Sequence, residues 1–203
     1  PTFASVAAWG SGPGDMQLNR LMVVDGERDI TFHTPMPVAA NITADSSVLG
    51  VFDKGKDKGL VIRHQTVLKN EKGEALATLV ASRFARGDGG IGGPAQGQPE
   101  AHEVPKRAPD KTVDITTRPD QALIYRLCGD RNPLHSDPEF AKRAGFPRPI
   151  LHGMCTYGIT CRGVLQTYAD YDPSAFRRHA VRFSSPVFPG ETVTMDLWKD
   201  GNV

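Results

Sequence analysis

Apolar and polar residues alternate over Ile30-Thr31-Phe32-His33-Thr34, the period-two pattern of a half-buried strand, and Pro35 ends it. A shorter apolar run at 21–24 precedes it, and Asp25-Gly26 reads as a turn between the two. Residues 41–52, 60–68 and 75–84 carry three more strand patterns. Asp53-Lys54-Gly55 and Asn70-Glu71-Lys72-Gly73 supply turn chemistry between them. Together these predict an antiparallel meander. The first eighteen residues are interrupted by Gly10, Gly12, Pro13 and Gly14, which makes them poor helix material.

Residues 87–111 are rich in Gly and Pro and read as a linker. Gly89-Gly90-Ile91-Gly92-Gly93 resembles a phosphate loop in composition, but the strand and helix that make such loops work are not around it. It is predicted to be a flexible connection. Beyond it, 112–118 reads as a strand and 119–127 as a short helix. Gly129 and Pro133 then impose a turn. Asp137-Pro138 has the chemistry of a helix start, with Glu139 in the first turn and Gly145 to end it. Gly153 opens a longer helix, with Met154, Tyr157, Gly158, Cys161, Val164, Leu165 and Tyr168 near helical spacing. Residues 178–184 and 192–198 are strands. The elements group as 1–86, the linker 87–111, and 112–203.

The two halves resemble each other. Ile30-Thr31-Phe32-His33-Thr34-Pro35-Met36 matches Val181-Arg182-Phe183-Ser184-Ser185-Pro186-Val187 at an offset of 181 − 30 = 151. Ile42-Thr43-Ala44-Asp45 matches Val193-Thr194-Met195-Asp196 at the same offset. A constant offset implies two copies of one fold. The long helix after Gly153 then corresponds to the broken opening stretch, so the first copy is expected to have lost its helix. Strands 60–84 map beyond Val203, so the natural protein is expected to be longer.

Composition narrows the function classes. The chain has 203 residues, ample for a sizeable core, and a net charge of +1. No basic stripe with interleaved aromatics points to nucleic acid, and no apolar run approaches the ~20 residues of a membrane span. Cys128, Cys155 and Cys161 lack paired spacing and read as buried free thiols of a reducing, cytoplasmic compartment. The histidines are too scattered to suggest a metal, and no cofactor is called for.

The chemistry concentrates between Asp130 and Gly153. A turn can aim Asp130, Asn132 and His135 at one point. A carboxylate beside an imidazole can hold one water between an acid and a base. Asn132 orients without ionising. The N–H of Gly153, at a helix start, suits a developing oxyanion. Asp137 reads as a cap, and His152 as a hydrogen-bonded structural histidine. This set suits the addition of water next to a carbonyl.

The ordered run Gly129-Asp130-Arg131-Asn132-Pro133-Leu134-His135, then Asp137-Pro138, Ala144-Gly145-Phe146 and Pro149-Ile150-Leu151-His152-Gly153, resembles the (R)-specific enoyl-CoA hydratases. These form the hydratase 2 branch of the MaoC-like hot-dog family, which includes the hydratase part of peroxisomal multifunctional enzymes. The resemblance covers nearly the whole chain. It implies an α+β double hot-dog, each sheet expected to wrap a helix, with a non-catalytic first repeat and a catalytic second one.

It also implies that trans-2-enoyl-CoA is hydrated to (3R)-3-hydroxyacyl-CoA, in fatty-acid or sterol side-chain metabolism, by a homodimer. Asp130 and His135 would hold the catalytic water, Asn132 would line the site, and Gly153 would bind the thioester oxygen. Asp25, Gly26, Lys54 and Phe183 would contact the CoA substrate, though the family usually has His where Asp25 stands. Two alternatives remain: a dehydratase of acyl-carrier-protein substrates, docking through Arg177-Arg178, and a non-catalytic acyl-CoA-binding subunit. A peroxisomal location is the alternative to a cytoplasmic one.

Overall fold

Val23–Phe32 is a single strand, β1. The Asp25-Gly26 pair expected as a turn is instead a bulge inside it, where the register against Arg83 and Ser82 slips between Asp25 and Glu27. In a regular strand Asp25 and Arg28 would face opposite sides of the sheet. The extra residue brings them to one side and closes an ion pair of 2.6 Å.

β2 (Thr43–Asp53), β3 (Leu60–Lys69) and β4 (Ala75–Ala85) follow as antiparallel neighbours. β1 does not pair with β2, however. It pairs with β4, and β6 (Arg178–Arg182) pairs with its other edge, so the sheet order is β2-β3-β4-β1-β6 rather than the simple meander expected. The computed structural model describes residues 17–201 and divides into two compact units. The first runs to Pro99 and includes Ser174–Ser184, so β6, grouped by sequence with the second half, belongs to the first sheet.

The β1–β6 register bears on the internal repeat. Asp29 lies directly opposite Ala180, and 180 − 29 = 151 is the sequence offset itself. Glu27 opposes Arg182 while Thr31 opposes Arg178, so the pairing is symmetric about Asp29 and Ala180. Two copies of one strand have paired with each other about a local two-fold. The broken helix expected in the first copy falls almost wholly outside the described residues.

Burial alternates strictly along β3, whose Leu60, Ile62, His64, Thr66 and Leu68 are buried with Ile30, Leu79 and Ala85. Each buried Leu or Ile contributes ~1.5–3 kcal/mol. His64 and Thr66 are the polar residues on this face, and burial, then the nearby Arg83 and Arg28, push the His64 imidazole down to about 4.

The glycine-rich segment is not the flexible connection expected. Asp53 carries a buried carboxylate that accepts N–H bonds from Gly55 (2.9 Å), Gly90 (2.8 Å) and Gly92 (2.8 Å). The loop does cradle an anion, but the anion is the chain's own side chain. These bonds, Gly90 and Gly55 foremost, hold the Asp53 carboxyl below its usual range. Gly89 passes so close that a Cβ there would overlap the Gly55 carbonyl oxygen and lie 2.9 Å from Gly59 N. Both obstacles are backbone. Gly89→Ala is therefore expected to cost on the order of 3 kcal/mol, the upper end for overpacking. Urea denaturation of the variant beside the parent chain measures it, and an unchanged midpoint would remove the clasp from the stability of this unit.

The second unit holds Glu100–Pro173 and the residues from Ser185 on. β5 (Lys111–Thr116) and β7 (Thr192–Leu197) form a two-stranded antiparallel sheet. The long helix Gly153–Tyr168 packs on it through Ile159 and Val164 against Ile115, Met195 and Leu197. Gly163 permits the approach, since a Cβ there would stand 2.5 Å from the Met195 sulfur. Two shorter helices precede it: α1 (Gln121–Arg126) and α2 (Pro138–Arg143); the long helix is α3. Among the described residues no helix is long and apolar enough to cross a membrane.

Candidate active site

The turn between α1 and α2 is held from three directions. Arg126, at the end of α1, donates to the Arg131 carbonyl at 2.7 Å. Asp130 Oδ1 accepts the Asn132 N–H at 3.1 Å, and Asn132 Oδ1 accepts the Leu134 N–H at 3.0 Å. The second bond caps a 3-10 turn, Pro133–His135. Asn132 thus shapes the turn through its oxygen while the residue itself stays exposed. Asp137 caps α2 as expected, accepting from Glu139 N and Phe140 N.

The turn delivers His135 into the interior, where it is 9% exposed. Its Nδ1 lies 2.8 Å from the Ile150 carbonyl. A carbonyl only accepts, so Nδ1 carries the hydrogen and, in the neutral ring, Nε2 carries the lone pair. One nitrogen or oxygen from each of Asp130, His135 and His152 lies within 4.8 Å of the others. A water making two ordinary hydrogen bonds of ~2.8 Å bridges such a span. The His135 and His152 rings stack at 3.8 Å with planes 26° apart. A metal ion shared between stacked rings would lie far out of both ring planes, so this donor set suits water better.

Gly153 is the first residue of α3, where a helix offers no carbonyl of its own to receive the N–H. Its neighbour His152 is the N-cap but makes no side-chain cap bond. His152 is 1% exposed, and its Nε2 lies 3.2 Å from the Asp130 carbonyl. Burial first, then the adjacent His135, push its imidazole down to about 4. A cleft of about 200 Å³ opens on His135, lined also by Ala122, Leu123, Arg148 and Pro189.

The structure therefore brings Asp130 and His135 together and places Gly153 one residue from the ring that touches both. The four residues expected to contact CoA lie in the first unit. Asp25, Gly26 and Phe183 meet there, with Phe183 N donating to Gly26 O at 2.9 Å. Lys54 is at the end of β2, three strand spacings or ~14 Å from β1, and donates to the Ala95 carbonyl. Sequence reasoning missed Tyr125, whose ring lies 4.8 Å from that of His152, and the cleft residues Leu123 and Arg148. No local pattern marks them. Cys155 and Cys161 are buried as expected, but Cys128 is exposed just past the end of α1.

Two buried neutral histidines make the fold acid-sensitive. His64 and His152 go from 6.5 to about 4 on folding, so between those values the unfolded chain binds more protons. Stability is expected to fall as pH drops from about 6.5 to about 4. Below the usual Asp value of 3.8, protonation of Asp53 loosens the glycine loop as well. Tm across a pH series checks this, and a flat curve over that window contradicts it.

Comparison with known proteins covers both halves. Residues 100–203 match the MaoC-like domain, and residues 1–87 match the MFE-2 hydratase 2 N-terminal domain. The chain is 43% identical over 210 residues to the enoyl-CoA hydratase ChsH3 of Mycobacterium tuberculosis, covering 99% of this chain and 72% of that protein. A crystal structure of a MaoC-like dehydratase from Phytophthora capsici superposes with a TM-score of 0.82 at 38% identity, over 93% of this chain and 66% of that one. The full-length peroxisomal multifunctional enzyme type 2 of Drosophila melanogaster gives 0.84 at 38% identity, over 99% of this chain and 36% of that one. The fold is the α+β double hot-dog of these neighbours. A turn that pairs Asp130 with His135, a helix start at Gly153 and two family matches in sequence order place this chain in the MaoC-like family, with a hydratase 2 N-terminal domain as its first half.

Proposed function

We propose that the chain catalyses hydration of trans-2-enoyl-CoA to (3R)-3-hydroxyacyl-CoA. The observation that carries the reading is the His135 ring, pinned through Nδ1 to Ile150 so that Nε2 is its basic nitrogen, with a ring nitrogen within 4.8 Å of an Asp130 carboxylate oxygen. The Gly153 N–H polarises the thioester carbonyl, which makes C3 electrophilic. Water held by Asp130 and His135 adds its oxygen to C3 and gives a proton to the pair. The pair returns one proton to C2, so the C2–C3 double bond becomes C2–H and C3–OH with no net redox change. That balance requires no electron carrier. Asp130 and His135 act on the same water and share one proton economy. Asp25, Gly26, Lys54 and Phe183 are proposed to contact the CoA ester.

Relatives named enoyl-CoA hydratase, and one named 3-hydroxyacyl-thioester dehydratase Y, support this class of reaction, whose reverse is a dehydration. The CoA form is favoured over a carrier-protein form because Arg178, half of the expected docking pair, is committed to Asp29 by bonds of 2.8 and 2.7 Å. The reading carries with it a homodimer and a cytoplasmic location, checked by sedimentation and by imaging of the tagged full-length protein.

The deciding experiment follows loss of the conjugated-thioester absorbance of trans-2-enoyl-CoAs of graded chain length, with fatty and sterol-type tails in parallel. Rapid loss with a (3R) product on chiral analysis is expected. A folded protein that consumes none of these esters overturns the reading.

A further inference from the structure

We propose that His152 is a positioning residue that holds both members of the acid–base pair, its ring face setting the plane of His135 and its Nε2–H fixing the Asp130 peptide. Only the kinetic arm of this proposal rests on the hydratase reading.

The contacts of the ring converge on the pair. It stacks on His135 at 3.8 Å. It donates from Nε2 to the carbonyl of Asp130, at 3.2 Å, and so fixes the residue whose carboxylate works. Tyr125 lies against it at 4.8 Å, with planes 49° apart. Nδ1 keeps its lone pair and is buried with no partner among the described residues.

His152 also occupies a position where another residue would serve the helix better. It is the N-cap of α3, yet it makes no cap bond. Ser, Thr, Asp or Asn there would accept an N–H of the first turn and stabilise the helix by ~1 kcal/mol. An Asp would also set a negative charge beside the N–H groups that are to receive a developing oxyanion. Histidine gives up the cap, leaves those donors open, and directs its ring at the acid–base pair.

Charge explains why the ring must stay neutral. His135 gains and loses a proton in each turnover, and a second imidazolium 3.8 Å away would oppose that gain. The charged and titratable groups facing His152 are His135, Asp130, Arg126 and the Tyr125 phenol. His135 and Arg126 can be cationic, and burial adds to their effect, so His152 is neutral wherever the pair works.

The test uses two substitutions that divide the two contacts, together with the unaltered protein. His152→Phe keeps a ring face for His135 and deletes the donor to Asp130. His152→Gln keeps a donor and deletes the ring. Each is expected to lower kcat ~10²-fold, the cost of misplacing reacting groups by about 1 Å, with little change in KM. The ¹⁵N spectrum of His135 is expected to move from one tautomer toward a mixture in His152→Gln, a change that filler packing would not produce. Folded variants with kcat near that of the unaltered chain overturn the proposal.

Should neither variant fold, the unaltered protein decides. Its His152 is expected to remain the neutral Nε2–H tautomer down to about pH 4. Titration near 6.5, the ordinary value, overturns the proposal without reference to any substrate. Failure of the unaltered protein on every enoyl-CoA would remove the hydratase reading while leaving this spectroscopic result standing.

Discussion

Turnover of a trans-2-enoyl-CoA is expected to drop ~10²–10⁴-fold in His135→Ala, and by a similar factor in Asp130→Asn, the loss typical of a single general acid or base. The two variants are informative for different reasons. Asn at 130 keeps an oxygen to accept the Asn132 N–H at 3.1 Å, so the turn retains its bond while the charge is lost. Ala at 135 leaves the buried Ile150 carbonyl without its donor and is expected to cost ~1–3 kcal/mol of stability in addition. Activity in Asp130→Asn should therefore fall with little change in Tm, and in His135→Ala with a modest one. Because both groups act on one water, the double variant should be hardly worse than the worse single. Multiplicative losses would mean that the two residues act in separate steps. Near-parent turnover in either folded variant would remove that residue from the mechanism.

How much of this was legible in the chain depends on how local the cause is. The turn around Asp130, the cap at Asp137 and the helix from Gly153 are set by residues within four positions of one another, and the structure has them where the pattern put them. The repeat was legible because a constant offset records a duplication whatever the packing, and the Asp29–Ala180 pairing shows the same offset in space. Features with distant causes were misread. Asp25-Gly26 has the composition of a turn, but its ladder partners Arg83 and Ser82 hold it as a bulge. The glycine loop lacked a helix to make it a phosphate site, and nothing nearby in sequence indicated that Asp53 would fill it.

The site followed the same rule. His152 was read as a structural histidine, and it is buried and hydrogen-bonded as that reading requires. What sequence could not supply was its neighbour: His135 is 17 positions away and stacks on it with its Nδ1 held by the Ile150 carbonyl. Catalytic residue types can be picked from a motif. The tautomer that makes one of them basic at the right atom is decided by a carbonyl that no motif names.

Gly153→Pro is the second large expected effect, and it isolates a single hydrogen. Proline is well tolerated at the first position of a helix, where its fixed φ is helical and its missing N–H has no intrahelical acceptor to lose. The residue before a proline must be extended, and His152 already is, at φ −58 and ψ 134. The backbone of α3 can therefore accept the substitution while the N–H assigned to the thioester oxygen disappears. Removing one such donor costs ~10²–10³-fold in kcat. The loss should fall on kcat more than on KM, because an N–H bonds a full oxyanion more strongly than a neutral carbonyl. Some activity should remain, since the N–H of Met154 lies in the same first turn and is equally without a helical acceptor. A folded Gly153→Pro protein with undiminished kcat would place the oxyanion elsewhere, and a loss confined to KM would make Gly153 a binding contact rather than a catalytic one.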